Sequence, residues 1–219
     1  MGKTTCKRKP IVLVGAGGHS RVIIDIIKTY CSDLDIVGIL DKDPLKRGCQ
    51  IDNISVIGSD VKLIELMEAG VGNAFISIGL IDNFKSRMDI YHNLKNMGFM
   101  LPTLIHGKSV VSKGVQIGCG NAVMALSVIN AGSRVGNNCI INTGSIIEHE
   151  ATIGDNVHIA PGAVICGRVC IGSNSFIGAG STVIQGVTIG DNAIIGAGSV
   201  VTRDVPSFSK AVGAPARLI

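Results

Sequence analysis

The chain has 219 residues, enough for one large domain or two modest ones. Aromatic residues make up 3% and Trp is absent, while Gly reaches 29, so the core must be aliphatic and suits a narrow, repetitive fold better than a bulky globular one. The net charge of +4 is spread along the chain, and the single short cluster Lys7-Arg8-Lys9, without a basic stripe or interleaved aromatics, argues against nucleic acid as a partner.

The first half alternates strand-like and helix-like segments. PIVLVG, ending at Gly15, reads as a short buried strand. Arg21 to Tyr30 has a helical period, with Val22, Ile23, Ile26 and Ile27 on one side. IVGIL, Ile36 to Leu40, is a second strand. Ser59-Asp60 is a plausible N-cap for a helix over Val61 to Glu68, closed by Gly70. AFISIG gives a third strand, and Asn83 to Asn96 a further helix ended by Gly98. This order predicts a small Rossmann-like α/β domain over residues 1–102, a parallel sheet with helices on its faces.

At Leu101-Pro102 the period changes. Seventeen consecutive hexads from Ile105 to Val201 carry Ile or Val at their first position, with no slip. Position five is small or β-branched, with Asn121 the exception, and position two is often Gly. A six-residue period does not keep one face of a 3.6-residue helix. It does fit a triangular coil of eighteen residues, three short sides with a turn between each. Each coil pairs with the next at roughly 4.8 Å. The segment 103–219 is therefore a parallel β-helix of the hexapeptide type. Residues eighteen apart stack: His149 between Ala131 and Gly167, Glu150 between Gly132 and Arg168, His158 between Ile140 and Phe176.

Three constellations carry chemistry. VLVGAGGHS is a strand entering a glycine turn at the start of a helix, a site for a diphosphate, with Asp41 placed for a ribose hydroxyl. An NAD site and a plain packing turn are the alternatives. IIEHEATIGDNVH sets His149 between Glu148 and Glu150, and a carboxylate beside an imidazole fixes its tautomer and raises its basicity. An ion pair of Glu150 with Arg168 competes with that role. The tail KAVGAPARLI turns away at Gly213 and Pro215. It either caps the open end of the solenoid or adds Arg203, Lys210 and Arg217 to a phosphorylated ligand. Of the repeat's histidines His106, His149 and His158, His106 is more than two coils from His149, about 10 Å or more along the axis, so no metal is expected.

The seven cysteines are odd in number and scattered, without C-x-x-C, as in a reducing cytosol. No signal-type apolar segment opens the chain, and no apolar run reaches the ~18 residues of a membrane helix. A soluble cytoplasmic protein without a membrane partner is expected.

The GAGGHS turn, the INTGSIIEHE segment and the GAPA tail together resemble the bacterial nucleotide-aminosugar acetyltransferases. These are hexapeptide-repeat acyltransferases that include UDP-4-amino-sugar N-acetyltransferases of bacillosamine type, perosamine N-acetyltransferase and sialic acid O-acetyltransferases. The resemblance implies a left-handed β-helix, a homotrimer with active sites between subunits, acetyl-CoA as donor, and a nucleotide-sugar acceptor. It implies that His149 is a general base supported by Glu150, with Asn142 in the same motif and His158 near the acetyl thioester. Gly167, Ala179 and Ala197 fall where the pantetheine arm would run. Gly17, Gly18 and His19 match the sugar-nucleotide turn, Asp41 and Lys42 its uridine side, and Gly79 the third-strand glycine. Leu80-Ile81 depart from the polar pair common there. The activity so implied is N-acetylation of a UDP-linked 4-amino sugar, with O-acetylation of a sialic-type sugar as the alternative.

Overall fold

The computed structural model describes residues 8–79 and 84–219. Lys7, Leu80-Ile81 and Asn83 lie outside the described residues. The chain divides into two compact units, Met1–Gly79 with Asp89–Leu104, and Leu80–Met88 with Ile105–Ile219.

The first unit is a five-stranded sheet. Strand β1 (Lys9–Val14) lies between β2 (Leu34–Leu40) and β5 (Asn73–Ile76), parallel to both. Ile11, Val12 and Leu13 are fully buried, as an inner strand of a covered parallel sheet requires. Beyond β2 come β4 (Ile54–Gly58) and β3 (Gln50–Ile51), which form an antiparallel hairpin. Its two-residue turn, Asp52-Asn53, has φ of 46° and 65°, the positive pair of a type I′ turn. Helix α1 (Gly18–Tyr30) buries Ile23, Ile24, Ile26 and Ile27. The second expected helix is split: a 3₁₀ turn at Asp60–Lys62 precedes α2 (Leu63–Glu68). Gly70 and Gly98 follow α2 and α3 (Phe84–Asn96) with φ of 90° and 93°, as helix-ending glycines do. The chain moves outward from β1 in both directions, so the order reverses at β1. The crevice beyond the strand ends at such a switch point is where open α/β sheets bind ligands.

The second unit is a left-handed parallel β-helix with three faces. The first runs from Val110–Val111 to Val200–Val201, the second from Gln116–Ile117 to Thr188–Ile189, and the third from Leu104–Ile105 to the tail. Up to Val201 every register is eighteen: Ile140 pairs with His158, His158 with Phe176, Ile129 with Ile147. The Ile and Val of position one form a continuous core. Position five supplies buried serines, whose hydroxyls donate to carbonyls: Ser127 to Met124 at 2.7 Å, Ser145 to Asn142 at 2.7 Å, Ser133 to Glu148 at 2.8 Å. Asn121, the exception in sequence, takes the same part, donating to the Gly136 carbonyl at 2.9 Å and accepting from Cys139 N–H at 2.6 Å.

Position four is the left-handed one. At the corner between the second and third faces it is held by Asn138, Asn156, Asn174 and Asn192, with φ of 55° to 59°. Their amides hand hydrogen bonds from coil to coil, Asn138 to Asn156 at 3.0 Å and Asn156 to Asn174 at 2.9 Å. One residue earlier, each turn N–H donates to a side chain of the following coil: Asn137 to Asp155, Asp155 to Ser173, Ser173 to Asp191 and Asp191 to Ser207. The glycines of position two have another cause. A Cβ at Gly136 would stand 2.8 Å from the Gly154 carbonyl carbon, so the next coil forbids it.

The tail stays on the third face. Lys210–Gly213 pairs with Ile194–Ile195 and folds back on Ala216–Leu218. Among the described residues no helix is long and apolar enough to cross a membrane.

Candidate active site

His149 and Glu150 occupy the corner between the first and second faces. Glu150 sits at position four with φ 59°, where the coils at Gly132 and Gly186 use glycine. An L-residue in this region is strained, and Arg168 shares the conformation on the next coil with φ 58°. Glu150 Oε2 lies 3.2 Å from His149 Nδ1, so the imidazole can donate from Nδ1 and leave Nε2 as the free base. Among the described residues Glu150 makes its ion pair with His149 and none with Arg168. The His149 ring lies over Gly167: a Cβ there would be 2.6 Å from Nε2. Glu148 faces elsewhere, accepting from Asn130 Nδ2 at 3.0 Å.

His158 belongs to a different group. It is 6% exposed on the third face, and its ring meets Phe176 edge-on at 5.1 Å. Asn142 lies 3.1 Å from His158 Nε2, while its own Oδ1 accepts from Thr143 N–H at 2.8 Å. That second bond turns the Asn142 amide NH₂ toward the ring, making Nε2 the acceptor and leaving the ring proton on Nδ1. The structure thus joins Asn142 to His158, not to His149. The His149 corner and the third face are opposite one another across the triangular coil, so one chain does not bring the two histidines together. Gly167 goes with His149. Ala179 and Ala197 are exposed at the corner between the third and first faces, beside the His158 column. Cys139 is buried in the core, and burial pushes its thiol up to about 12, which leaves it protonated and unsuited to nucleophilic work.

In the first unit the glycine turn follows β1. Gly15 is needed for packing: its φ is 111° and a Cβ would strike Ile78 at 2.3 Å. Gly17 and Gly18 are exposed and have open space, with neither contact nor left-handed backbone to require glycine. Their lack of side chains leaves the start of α1 bare, and no side chain caps it. Asp41 ties this turn down: it accepts from Ala16 N–H at 2.7 Å, Asp43 N–H at 2.9 Å and Lys46 Nζ at 3.1 Å. Partial burial alone would raise its carboxyl, but the two N–H donors and Lys46 outweigh this and hold it below the ordinary value. Lys42 is exposed, and Gly79 passes His19, 3.9 Å from a built Cβ to the His19 Cβ. A cleft of about 400 Å³ opens here, lined by Gly17, Gly18, Arg21, Lys46 and Cys49, with Ile51 and Val56 of the hairpin as an apolar wall. No local motif marks Arg21, Lys46 or this wall in the sequence. The Asp-Asn pair between Ile51 and Ile54 was the signal for the hairpin.

Among the described residues no group of three or more His, Cys, Asp or Glu is placed to hold a metal ion.

The model of the PglD N-terminal domain matches residues 10–94. The bacterial transferase hexapeptide model matches residues 132–167 and 150–185, and the hexapeptide repeat of succinyl-transferase residues 168–203. Among solved structures, PerB of Caulobacter crescentus, in complex with CoA and GDP-perosamine, is 37% identical, with 96% of this chain and 97% of that one covered and a TM-score of 0.90. The acetyltransferase domain of PglB from Neisseria gonorrhoeae, in complex with acetyl coenzyme A, is 31% identical over 97% of this chain and 100% of that one, at 0.87. WeeI of Acinetobacter baumannii shares the fold, at 24% identity and 0.84, over 96% of this chain and 100% of that one. No curated protein sequence matches the chain.

Proposed function

Because the chain belongs to the bacterial nucleotide-aminosugar acetyltransferases built on hexapeptide repeats, it is a sugar acetyltransferase using acetyl-CoA, and we propose that its acceptor is the 4-amino group of a UDP-linked amino-dideoxy sugar. The amine attacks the thioester carbonyl, and His149 Nε2 takes a proton from the nitrogen as the C–N bond forms. Glu150 holds the ring through Nδ1 and stabilises the imidazolium. The tetrahedral intermediate then collapses, the C–S bond breaks, and CoA leaves as the thiol with a proton returned by His149. His158, its tautomer set by Asn142, and backbone N–H groups supply donors for the oxyanion. Gly167, Ala179 and Ala197 line the path of the pantetheine arm. Gly17, Gly18, His19, Asp41, Lys42 and Gly79 belong to the nucleotide-sugar side.

The observation that carries this reading is the His149–Glu150 pair, built on a left-handed Glu at a corner where the preceding coil has Gly132. The separation of His149 from His158 supports a homotrimer, with each site formed by the His149 corner of one subunit and the third face of its neighbour. The outward row of the first face, Val110, Val128, Ile146, Val164, Thr182 and Val200, is apolar except for Thr182, whereas the second face presents Gln116, Arg134, Thr152 and Thr188, so the first face suits packing between copies.

A GDP-linked sugar is the second reading, favoured by the complex of PerB with GDP-perosamine. Thiol release from acetyl-CoA, measured with UDP- and GDP-linked 4-amino sugars and with sialic acids, separates these. Release with a UDP-linked amine above all others is expected. Preference for the GDP-linked amine would move the assignment to the second reading, and release only with sialic acids would overturn both.

A further inference from the structure

We propose that Arg21 is a diphosphate-binding residue that Asp52, at the tip of the β3–β4 hairpin, occupies until nucleotide displaces it. The inference deepens the proposed nucleotide-sugar role of the cleft and rests on that reading.

Gly17 is the extended N-cap of α1 and Gly18 its first residue, three before Arg21, so the glycines and Arg21 lie along the first turn of the helix. The two glycines leave open space at the start of α1, and Arg21 lines the same cleft one turn further on. A phosphate seated over the glycines falls within reach of its guanidinium, whose planar fork matches phosphate oxygens.

The two cations of the cleft are held in different ways. Lys46 belongs to a fixed hub: its partner Asp41 is 10% exposed and also accepts the Ala16 and Asp43 N–H groups. Among the described residues Arg21 makes one ion pair, Nη1 to Asp52 Oδ1 at 2.8 Å, between side chains 62% and 42% exposed. An ion pair so solvated is weak and easily exchanged. Its carboxylate stands where a phosphate oxygen would, so the anion on the hairpin competes with the anion of the ligand. The hairpin does not depend on that pair, because Lys28 Nζ also donates to the Asp52 carbonyl at 2.7 Å. Asp52→Asn therefore removes the competing charge and keeps the anchor.

Titration calorimetry with UDP and with GDP tests this directly. Arg21→Gln is expected to weaken the binding of either nucleotide about tenfold or more, the loss of a charged hydrogen bond. Asp52→Asn is expected to tighten it by up to about fivefold, the scale of an exposed ion pair. In the Arg21→Gln background the Asp52→Asn gain should vanish, a coupling that a purely structural role would not produce. Arg21→Lys, which keeps the charge, should restore part of the affinity and guards against misfolding. Wild-type affinity in Arg21→Gln, or no tightening in Asp52→Asn, overturns the proposal. If the binding pattern holds but no amino sugar is acetylated, the acceptor assignment falls and the role of Arg21 stands.

Discussion

Replacing Glu150 by Gly separates its chemical role from its structural cost. The residue has φ 59°, and the same corner is glycine at Gly132 and Gly186 with φ 76° and 73°. Holding an L-residue in this region costs about 1–2 kcal/mol. The added freedom of Gly in the unfolded chain returns about 0.5–1 kcal/mol of that. The lost contact with His149 joins two groups that are 52% and 62% exposed, so its contribution is small. The net expectation for Glu150→Gly is a gain on the order of 0.5–1 kcal/mol per subunit, a rise in Tm of about 1–4 °C for a chain of this size. Activity should move the other way. General base catalysis supplies about 10²–10⁴-fold, and a ring freed from its carboxylate keeps only part of it, so kcat should fall by roughly 10- to 100-fold with both KM values little changed. Scanning calorimetry and a thiol-release assay on one preparation read both effects. Glu150→Ala, which keeps the strain and loses the carboxylate, should lose activity without the thermal gain. A less stable Glu150→Gly variant would refute the strain argument, and one with wild-type kcat would refute the catalytic role.

Other expectations follow from the same geometry. A methyl group at Gly167 would stand 2.6 Å from His149 Nε2, so Gly167→Ala should shift the ring and lower kcat while circular dichroism stays unchanged. Asn142→Ala removes the donor that sets the His158 tautomer, and should affect acetyl-CoA turnover far more than nucleotide-sugar binding, which steady-state kinetics in both substrates will show. His149→Ala and His158→Ala subunits, refolded together at equal amounts, should recover about a quarter of wild-type activity if each site joins two subunits at random, and none if one chain supplies both histidines. Asp41 has its folded pKa below the unfolded value, so its contribution to stability is full above the ordinary carboxylate pKa of about 3.9 and is lost as pH falls through the folded value. Urea midpoints should therefore drop more steeply below pH 4 for the wild type than for Asp41→Asn, and parallel curves would remove Asp41 from that role.

The β-helix was legible because its core repeats at a fixed interval. One Ile or Val every six residues fixes the register, and register alone places His158 between Ile140 and Phe176. The corner chemistry was half visible. Glycine recurs at position two, yet the left-handed position is the fourth, where Asn holds one corner and Gly the others, with Leu126, Glu150 and Arg168 as the departures. Asn142 and His149 are seven residues apart, but a triangular coil separates near neighbours in sequence, and side-chain reach joins Asn142 to a histidine sixteen residues on. In the first unit, buried strands and the glycine turn were plain. The cleft was not, since Arg21, Lys46 and Ile51 come from three segments that no local period connects.

The core and the surface of this solenoid count in different units. Its interior repeats every six residues, so adding or removing one hexad preserves every Ile and Val that fills the axis. Its exterior repeats every eighteen, since the asparagine column, the His158 column and the His149 corner each return only after a full coil. A six-residue insertion between Ile141 and Ile147 is thus nearly silent to packing, yet it carries everything downstream round by one face. Folding would persist while the address of each functional side chain changed. Length variation in such a chain is free to accumulate in whole coils, and a lone hexad gained or lost amounts to a rearrangement of the active surface.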